Sequence, residues 1–258
     1  MSSMQRDADR GDFSLGGGDS LRSASASISP FAALSPVPTD PIFRVNQEFA
    51  ADPRAQKANL SIGVYKGPQG TTETLPSVVE ALQRVASKKE GPQYLPITGL
   101  ESYCRGVEEL VLGAESLPST EKRLLTVQTL GGTGALRLAA ELMRQEMNVT
   151  DIFVSDPTWD NHHNTFTRAG LKVHQYPYLS TLSNDGTQAS GIDFDRTRDS
   201  LSLLSPGTAV LLHACCHNPT GVDFTSQHWR GLVDIVRERG LLPVIDFAYQ
   251  GFGSNVHE

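Results

Sequence analysis

Downstream of residue 123, short apolar runs alternate with segments in which apolar residues recur every three or four positions. The first pattern is typical of strands and the second of amphipathic helices. Two of the runs, 209–212 and 241–245, carry no polar side chain. Strands of this kind have no solvated face, and their separation by helices predicts an α/β fold with a mostly parallel sheet between helix layers. Pro243 cannot donate to a strand ladder, so we expect a strand start or an irregular edge there.

The same pattern gives the positions of the individual elements. Strands are predicted at 124–129, 152–155, 172–176, 209–215 and 241–245. Helices are predicted at 41–51, 76–85, 99–112, 133–145, 161–169, 194–203 and 226–239. Ligands of such sheets bind beyond the carboxyl ends of the strands, so the residues that follow each strand are the candidates for chemistry.

The composition restricts the kinds of molecule that we expect the protein to bind. The 258 residues carry a formal net charge of −7 with the charges interspersed, which favours neither nucleic acid nor an anionic membrane surface. The longest apolar runs have the length of strands, so no membrane span is predicted. The cysteines Cys104, Cys215 and Cys216 show no metal-ligand spacing, and we predict no metal site. Adjacency of the last two excludes the usual disulfide geometry between them, which favours a reducing, cytoplasmic compartment.

Residues 1–36 are rich in glycine, serine and arginine and offer too little apolar surface to offset the entropy of ordering. We therefore predict a disordered N-terminal extension. Its serine and arginine content is typical of organellar transit peptides, but such peptides avoid acids, and Asp7, Asp9, Asp12 and Asp19 all lie here. Organellar targeting is kept as the alternative to the cytoplasm.

A glycine-rich turn at 131–135 follows the first predicted strand and opens a helix. Glycines there let backbone N–H groups approach an anion at the positive end of the helix dipole, and the Thr133 hydroxyl adds a donor. Gly132 and Thr133 are therefore candidates for holding one phosphate group, with a purely structural turn as the alternative. The spacing is not the dinucleotide fingerprint, so a nucleotide-binding oxidoreductase is only a competing class.

Aromatic and polar residues follow the next strand. An indole just beyond a strand end, as at Trp159, can lie flat on an aromatic ring and hold it by stacking and apolar burial. The alternative is a tryptophan that plugs the edge of the domain. His162, taken by itself, is equally consistent with a helix cap or a satisfied core histidine.

An amide, a carboxylate and a phenol follow the last two strands. Pro219 favours an extended Asn218, whose amide then projects from the strand end. Asp246 comes directly after an apolar run, where a carboxylate is costly to bury unless it meets a cation or a donor. A protonated pyridine nitrogen is such a partner, and Tyr249 is close enough to reach a phenolic oxygen on the same ring.

Five motifs in order resemble the class I aminotransferases that use pyridoxal phosphate, specifically the aspartate and aromatic aminotransferase branch. The resemblance covers nearly all of residues 41–253. The motifs are NLSIGVY at 59–65, YLPITGL at 94–100, TLGGTGA at 129–135, CCHNPTG at 215–221 and DFAYQGF at 246–252.

The resemblance implies an incomplete large domain of aminotransferase fold type I, with an N-terminal arm. Residues 37–75 would then form the arm and a small-domain segment. Residues 76–258 would form part of the cofactor-binding large domain.

The resemblance also implies roles around a bound pyridoxal 5'-phosphate. Asp246 would pair with the pyridinium nitrogen, and His162 would orient Asp246 from behind. Asn218 and Tyr249 would hydrogen-bond the ring oxygen. Trp159 would stack on the ring.

Further residues would hold the phosphate and the substrate. Gly132 and Thr133 would bind the phosphate, with Tyr94 reaching it from the partner subunit of a homodimer. Trp159, Asn218 and the backbone of Gly63 would position the carboxylate of an amino acid or 2-oxo acid substrate.

One departure from the family affects the chemistry. In the family a lysine forms the Schiff base and shuttles the proton, and arginines bind the substrate carboxylates. No lysine occurs after Lys172, so we expect truncation before the Schiff-base lysine and no catalytic residue in this chain. The complete protein is expected to transaminate aspartate or an aromatic amino acid with a 2-oxo acid such as 2-oxoglutarate. The alternative is a catalytically inactive truncated isoform that acts as a dimerisation partner.

Overall fold

The computed structural model describes residues 29, 31–32, 41–89, 91, 93–116, 123–180 and 191–254. The chain divides into two units, Met1–Thr72 and Glu73–Glu258. Nearly all of the predicted N-terminal extension, residues 1–36, lies outside the described residues.

The first unit contains one described helix, α1, at Pro41–Ala51. Polar contacts connect it to the segment that follows. The Lys57 ammonium donates to the backbone carbonyls of Phe49 (2.7 Å) and Asp52 (2.6 Å), and it lies 4.6 Å from the centre of the Phe49 ring. The amide of Asn59 donates to Asn46 (2.7 Å). The bond to Phe49 satisfies a carbonyl in the last turn of α1 that has no partner within the helix.

The second unit begins with two helices, α2 at Pro76–Ser87 and α3 at Glu101–Leu112. Pro76 occupies the first turn of α2, where its missing N–H costs no helical hydrogen bond. Helix α3 ends at Gly113, whose φ of 76° suits glycine. Both helices are close to the predicted ranges.

The remaining elements form a parallel α/β sheet. Helix α4, Gly131–Glu141, continues as a π-helical turn, Leu142–Glu146. Then come β1 (Asp151–Asp156), α5 (Asp160–Arg168), β2 (Lys172–Pro177), α6 (Phe194–Ser202), β3 (Ala209–His213), α7 (Ser226–Arg239) and β4 (Leu242–Asp246). Within the described residues the strand order is β2-β1-β3-β4, and every pairing is parallel.

Helices cover both faces of this sheet. Successive strand residues point to opposite faces, and all five residues of β3 are buried. Leu211 packs on one face with residues of α4 and α5, whereas Leu212 packs on the other with residues of α6 and α7. Burial of each such leucine contributes roughly 1.5–3 kcal/mol. The predicted α/β fold, with a mostly parallel sheet between helix layers, is confirmed.

Two strand predictions are wrong in detail. Residues 124–129 form no strand: the backbone N–H of Gln128 donates to the Thr98 carbonyl (2.8 Å), outside any strand, and the Thr126 side chain donates to Glu108 (2.7 Å). The strand predicted at 209–215 ends at His213.

The expectation that β4 has no solvated face is also wrong. Pro243 is exposed and the Ile245 side chain is 55% exposed. The reason is that β4 lies at the edge of the described four-stranded sheet and pairs only with β3. The edge position predicted from Pro243 is confirmed.

The described ranges contain neither a helix that could span a membrane nor a cluster of metal-binding side chains. None of the helices in these ranges is both long and apolar enough to cross a membrane. No cluster of three or more histidine, cysteine, aspartate or glutamate side chains in the same ranges has the arrangement of a metal site.

Candidate functional site

The candidate residues that follow β1, β3 and β4 lie along one edge of the sheet, at the carboxyl ends of its strands. Asp246 ends β4, and the parallel register places it beside His213, which ends β3. Trp159 and His162 lie at the start of α5, immediately after β1. Asn218 belongs to the loop after β3. The topology therefore gathers residues that are far apart in sequence.

A chain of hydrogen bonds joins the loop after β3 to Asp246. The backbone N–H of Asn218 donates to Nδ1 of His213 (3.4 Å), so the proton of that neutral ring is on Nε2. This Nε2 donates to the Thr158 hydroxyl (3.3 Å), which donates to Nδ1 of His162 (2.8 Å). Nε2 of His162 in turn donates to Oδ2 of Asp246 (2.9 Å). All donors point toward the carboxylate, so the chain is satisfied when Asp246 is ionised.

The electrostatic environment favours this charge state. Burial alone would raise the pKa of Asp246, but the hydrogen bond from His162, the electrostatic influence of the neighbouring His162 and His213 rings and the Ala248 backbone N–H hold it below its usual value. Burial, with a contribution from His162, lowers the pKa of His213 to about 4. Near pH 7, Asp246 is therefore a carboxylate and His213 is a neutral imidazole.

The indole of Trp159 borders this chain. Its ring meets the His162 ring edge-on, with centroids 5.3 Å apart and an interplanar angle of 89°. One part of the indole packs against the core on the α4 and α5 side of the sheet, and the residue is only half-buried. An indole held in this way has a fixed orientation and retains surface on which a planar ring can stack.

A third buried histidine, His217, supports the loop that carries Asn218. Its Nε2 lies 2.9 Å from the Ser155 hydroxyl, and its Nδ1 lies 2.8 Å from the Thr220 hydroxyl. Its ring stacks on Tyr178 with centroids 3.9 Å apart. Burial, followed by the charge of His213, lowers the pKa of His217 to about 3. His217 is thus a neutral structural support at pH 7.

Four of these polar residues had no predicted role in the site: Ser155, Thr158, His213 and His217. A signal for two of them was present. Ser155 and His213 are polar residues in otherwise apolar strands, and a buried polar side chain requires a partner. The pairing of Thr158 with both histidines depends on strand order, which the sequence does not state.

The glycine-rich turn opens α4, the helix that precedes β1 in the chain. Leu136 and Ala140 of this helix pack in the core on one face of the sheet. Gly131 has a φ of 71°, a conformation that suits glycine, and a Cβ placed at Gly132 would meet no atom within 4 Å. Thr133 is exposed. The turn thus offers accessible N–H groups and a hydroxyl at the positive end of a helix.

The remaining candidates are placed differently. Tyr249 is half-buried in the turn after β4, and its backbone carbonyl accepts a hydrogen bond from the Cys215 thiol (3.2 Å). The Tyr94 side chain is fully exposed, so it is not packed against the cluster around Asp246. Gly63 is exposed and belongs to the first unit.

The last lysine of the sequence, Lys172, lies at the amino ends of the strands, opposite the candidate site. Lys172 is the first residue of β2, at the amino end, and pairs in register with Asp151. A strand of this length extends about 16 Å, which is more than a lysine side chain can span. Lys172 therefore does not bring an amine to the candidate site.

Comparison with known proteins gives a consistent family. Residues 55–257 match the model of the family described as aminotransferase class I and II. The chain is 43% identical over 231 residues to an aromatic-amino-acid aminotransferase of Pseudomonas aeruginosa, covering 90% of this chain and 56% of that protein. It is 41% identical over 228 residues to an aspartate aminotransferase of Escherichia coli, covering 88% of this chain and 56% of that protein.

A solved structure agrees with these matches. It is the aromatic-amino-acid aminotransferase of Burkholderia pseudomallei covalently bound to pyridoxal phosphate, with 40% identity and a TM-score of 0.81. The alignment covers 89% of this chain and 56% of that structure. The chain spans about half the length of the curated relatives it matches.

Proposed function

Because the chain belongs to the class I and II aminotransferase family, we propose that the complete protein transfers the amino group of an amino acid to a 2-oxo acid with pyridoxal 5'-phosphate as cofactor. The donor is aspartate or an aromatic amino acid, and 2-oxoglutarate is an acceptor. The names of the relatives support both donors.

The observation that carries this proposal is the ionised carboxylate of Asp246. Four successive hydrogen bonds, from the Asn218 backbone through His213, Thr158 and His162, all donate toward it. An anion beside a pyridine nitrogen favours its protonated form, so the residues present fit such a ring. When bound, the cofactor supplies an electron sink for loss of the α-proton of the substrate.

The other candidate residues have complementary tasks in the proposal. Trp159 provides the stacking surface, and its packing fixes the plane in which a ring lies. Asn218 and Tyr249 donate to the ring oxygen. Gly132 and Thr133 hold the phosphate at the start of α4, where the helix dipole favours an anion.

His162 keeps Asp246 in one orientation. Its ring is fully buried and has a partner on each nitrogen, Thr158 on one side and Asp246 on the other. A carboxylate fixed in this way holds its free oxygen at a constant position, which an ion pair with a ring nitrogen requires.

We also propose a homodimer in which Tyr94 reaches the phosphate of the partner's site. The exposure of Tyr94 together with its neighbours Leu95 (52%) and Ile97 (101%) supports an apolar contact surface at this segment. In the same arrangement the Gly63 backbone helps to position the substrate carboxylate. Sedimentation equilibrium of the chain and of Ile97→Lys tests this part, with a weaker dimer expected for the variant.

We also propose a domain assignment and a cellular compartment, each from a separate observation. The division of the chain between Thr72 and Glu73 supports an arm and small-domain segment at 37–75, followed by part of a large domain at 76–258. All three cysteines are free, which supports a cytoplasmic location.

A chimera tests the proposed function directly. Residues 41–254 would replace the matching segment of the Escherichia coli aspartate aminotransferase, so that the rest of the relative supplies the amine. With cofactor, aspartate and 2-oxoglutarate, we expect the chimera to release oxaloacetate and Asp246→Ala to lower the rate about 100-fold. The 258-residue chain assayed alone is expected to release none, since its last lysine is at the opposite edge of the sheet.

Two results would contradict the proposal. A folded chimera that binds the cofactor but does not transaminate would show that these residues do not form a competent site. An appreciable rate from the 258-residue chain alone would show that a residue of this chain supplies the amine, which the proposal assigns to the part of the relative that the chimera retains. Replacing aspartate by phenylalanine in the same assay separates the two donor classes.

A further inference from the structure

The loop that begins after β3 has backbone N–H groups that the sheet no longer satisfies. The N–H of Ala214 still donates to the Asp246 carbonyl of β4 (2.9 Å), but beyond Ala214 the N–H groups need other acceptors, because a buried unpaired donor is costly. The N–H of Cys216 donates to Oδ2 of Asp223 (2.7 Å), and the N–H of His217 donates to Oδ1 of the same residue (2.8 Å). The next N–H, that of Asn218, donates to His213 (3.4 Å). Three successive donors are thus held by two side chains.

This arrangement fixes a strained part of the backbone. Cys216 has a φ of +48°, in the left-handed region that residues with a side chain rarely adopt. In this conformation the N–H groups of Cys216 and His217 both point at one carboxylate. Charge-assisted hydrogen bonds of this kind are stronger than neutral ones, so Asp223 compensates for the strain.

The other side of the loop is held independently. His217 is braced by Ser155 and Thr220, and the Tyr178 hydroxyl donates to the carbonyl of Val222 (2.6 Å). These contacts fix the His217 ring and the end of the loop. They do not hold the N–H groups of Cys216 and His217, which donate to Asp223 alone among the hydrogen bonds of the described residues.

We propose that Asp223 is a positioning residue whose carboxylate holds the Cys216 and His217 peptides so that the Asn218 amide is presented at the candidate cofactor site. The structural part of this inference rests on the loop geometry alone. Its consequence for cofactor binding rests on the proposed function. Asp223 itself does not contact the reacting atoms and acts through Asn218.

The first measurement concerns the structural part and needs no cofactor. In the 258-residue chain, Asp223→Asn keeps the size of the side chain but replaces one acceptor oxygen by an amino group. We expect the Cys216 and His217 amides to exchange with deuterium about tenfold faster, the equivalent of one lost hydrogen bond, and the side-chain amide resonance of Asn218 to shift. Unchanged exchange and an unchanged Asn218 resonance would overturn the proposal.

A matched control separates positioning from general stability. Asp193 caps α6 by accepting the N–H of Arg196 (3.2 Å) and has no hydrogen bond to the loop. Asp193→Asn is expected to lower the melting temperature and to leave the Asn218 resonance in place.

Should Asp223→Asn fail to fold, Asp223→Glu retains the carboxylate and is expected to keep the slow exchange of at least one of the two amides. Scalar couplings across these hydrogen bonds in the wild-type chain test the contact without any substitution, and their absence would overturn the proposal.

The second measurement is a double-mutant cycle with pyridoxal 5'-phosphate as the probe. Asp223→Asn and Asn218→Ala are each expected to weaken binding about tenfold, and the double variant is expected to bind no worse than Asn218→Ala alone, because both changes act through one group. Additive losses would overturn the proposal. If the wild-type chain does not bind the cofactor but the exchange and resonance changes are present, the proposed function fails while the role of Asp223 in placing Asn218 stands.

Discussion

Nε2 of His162 lies 2.9 Å from Oδ2 of Asp246, so the helix that follows β1 contacts the last residue of β4. Strand β3 lies between these two strands in the sheet. The contact therefore connects elements that are not neighbours and places a buried imidazole behind a partly exposed carboxylate. This arrangement leads to the predictions below.

Replacing His162 by phenylalanine keeps the ring but leaves Thr158 and Asp246 without their partner. We expect the free energy of unfolding to fall by roughly 1–3 kcal/mol, the usual cost of unpaired buried polar groups. The control is His174→Phe, since His174 pairs with Asp151 (2.7 Å) in an exposed position, where such pairs contribute about 1 kcal/mol or less. Urea unfolding measures both, and equal losses would contradict the importance of the buried contact.

The stability of the chain should depend on pH through its two buried neutral histidines. The pKa of His213 is lowered to about 4 and that of His217 to about 3, whereas both titrate near 6.5 in an unfolded chain. Below pH 6.5 the unfolded state binds protons that the folded state does not, so stability decreases as pH falls toward 4. The carboxyl of Asp246, whose pKa is lowered, removes further stability only at lower pH.

Urea midpoints between pH 7.5 and 4 measure this effect. Allowing for residual solvent screening, we expect a loss of roughly 2–4 kcal/mol over the range. Replacing both histidines by glutamine should flatten the profile. A wild-type midpoint that does not change between pH 7.5 and 5 would show that these imidazoles are not kept neutral by the fold.

The central strand should be sensitive to loss of volume. Leu211 is fully buried in the middle of β3, so Leu211→Ala is expected to cost about 2–5 kcal/mol through lost burial and the resulting cavity. Leu203, which is 82% exposed just beyond α6, is the control, and Leu203→Ala should cost less than about 0.5 kcal/mol. Thermal or urea unfolding distinguishes the two. Similar costs would indicate that β3 is not at the centre of the core.

The thiol of Cys215 should react slowly with alkylating reagents. Burial and the neighbouring Cys216 raise its pKa to about 11, and the thiolate is the reactive form. Iodoacetamide labelling followed by mass spectrometry should therefore show a rate at pH 8 about 100-fold below that of an ordinary cysteine, rising toward pH 11. Complete labelling of Cys215 at pH 8 within minutes would contradict the partly buried position of this thiol and its hydrogen bond to the Tyr249 carbonyl.

The helices and the class of sheet could be predicted because they depend on residues that are close together in the sequence. The apolar spacing between Ser226 and Arg239, preceded by Thr225 and followed by Gly240, defines α7 with the bounds that the structure has. Thr225 forms a capping box with His228, and Gly240 has a φ of 63°, as a helix end requires.

The errors arose where long-range contacts decide the outcome. Residues 124–129 have strand composition but bond to segments near Thr98 and Glu108, and no local pattern indicates this. The exposure of Ile245 depends on the edge position of β4, which follows from strand order. The link from Thr158 to His213 likewise depends on the adjacency of β1 and β3. The motif at 246–252 marked Asp246, and the family resemblance gave His162 as its partner. Thr158 and His213, which continue the chain of hydrogen bonds behind His162, were found only in the structure.

The most direct measurement is binding of pyridoxal 5'-phosphate to the 258-residue chain, followed by tryptophan fluorescence in a Trp229→Phe background. That change leaves Trp159 as the only tryptophan, since the sequence has two. We expect saturable quenching and an affinity at least about tenfold weaker in Asp246→Ala, which removes the ion-pair partner of the ring. Asp151→Ala removes a carboxylate at the opposite edge of the sheet and should leave the affinity unchanged. No saturable quenching, or equal losses in the two variants, would contradict a cofactor site centred on Asp246.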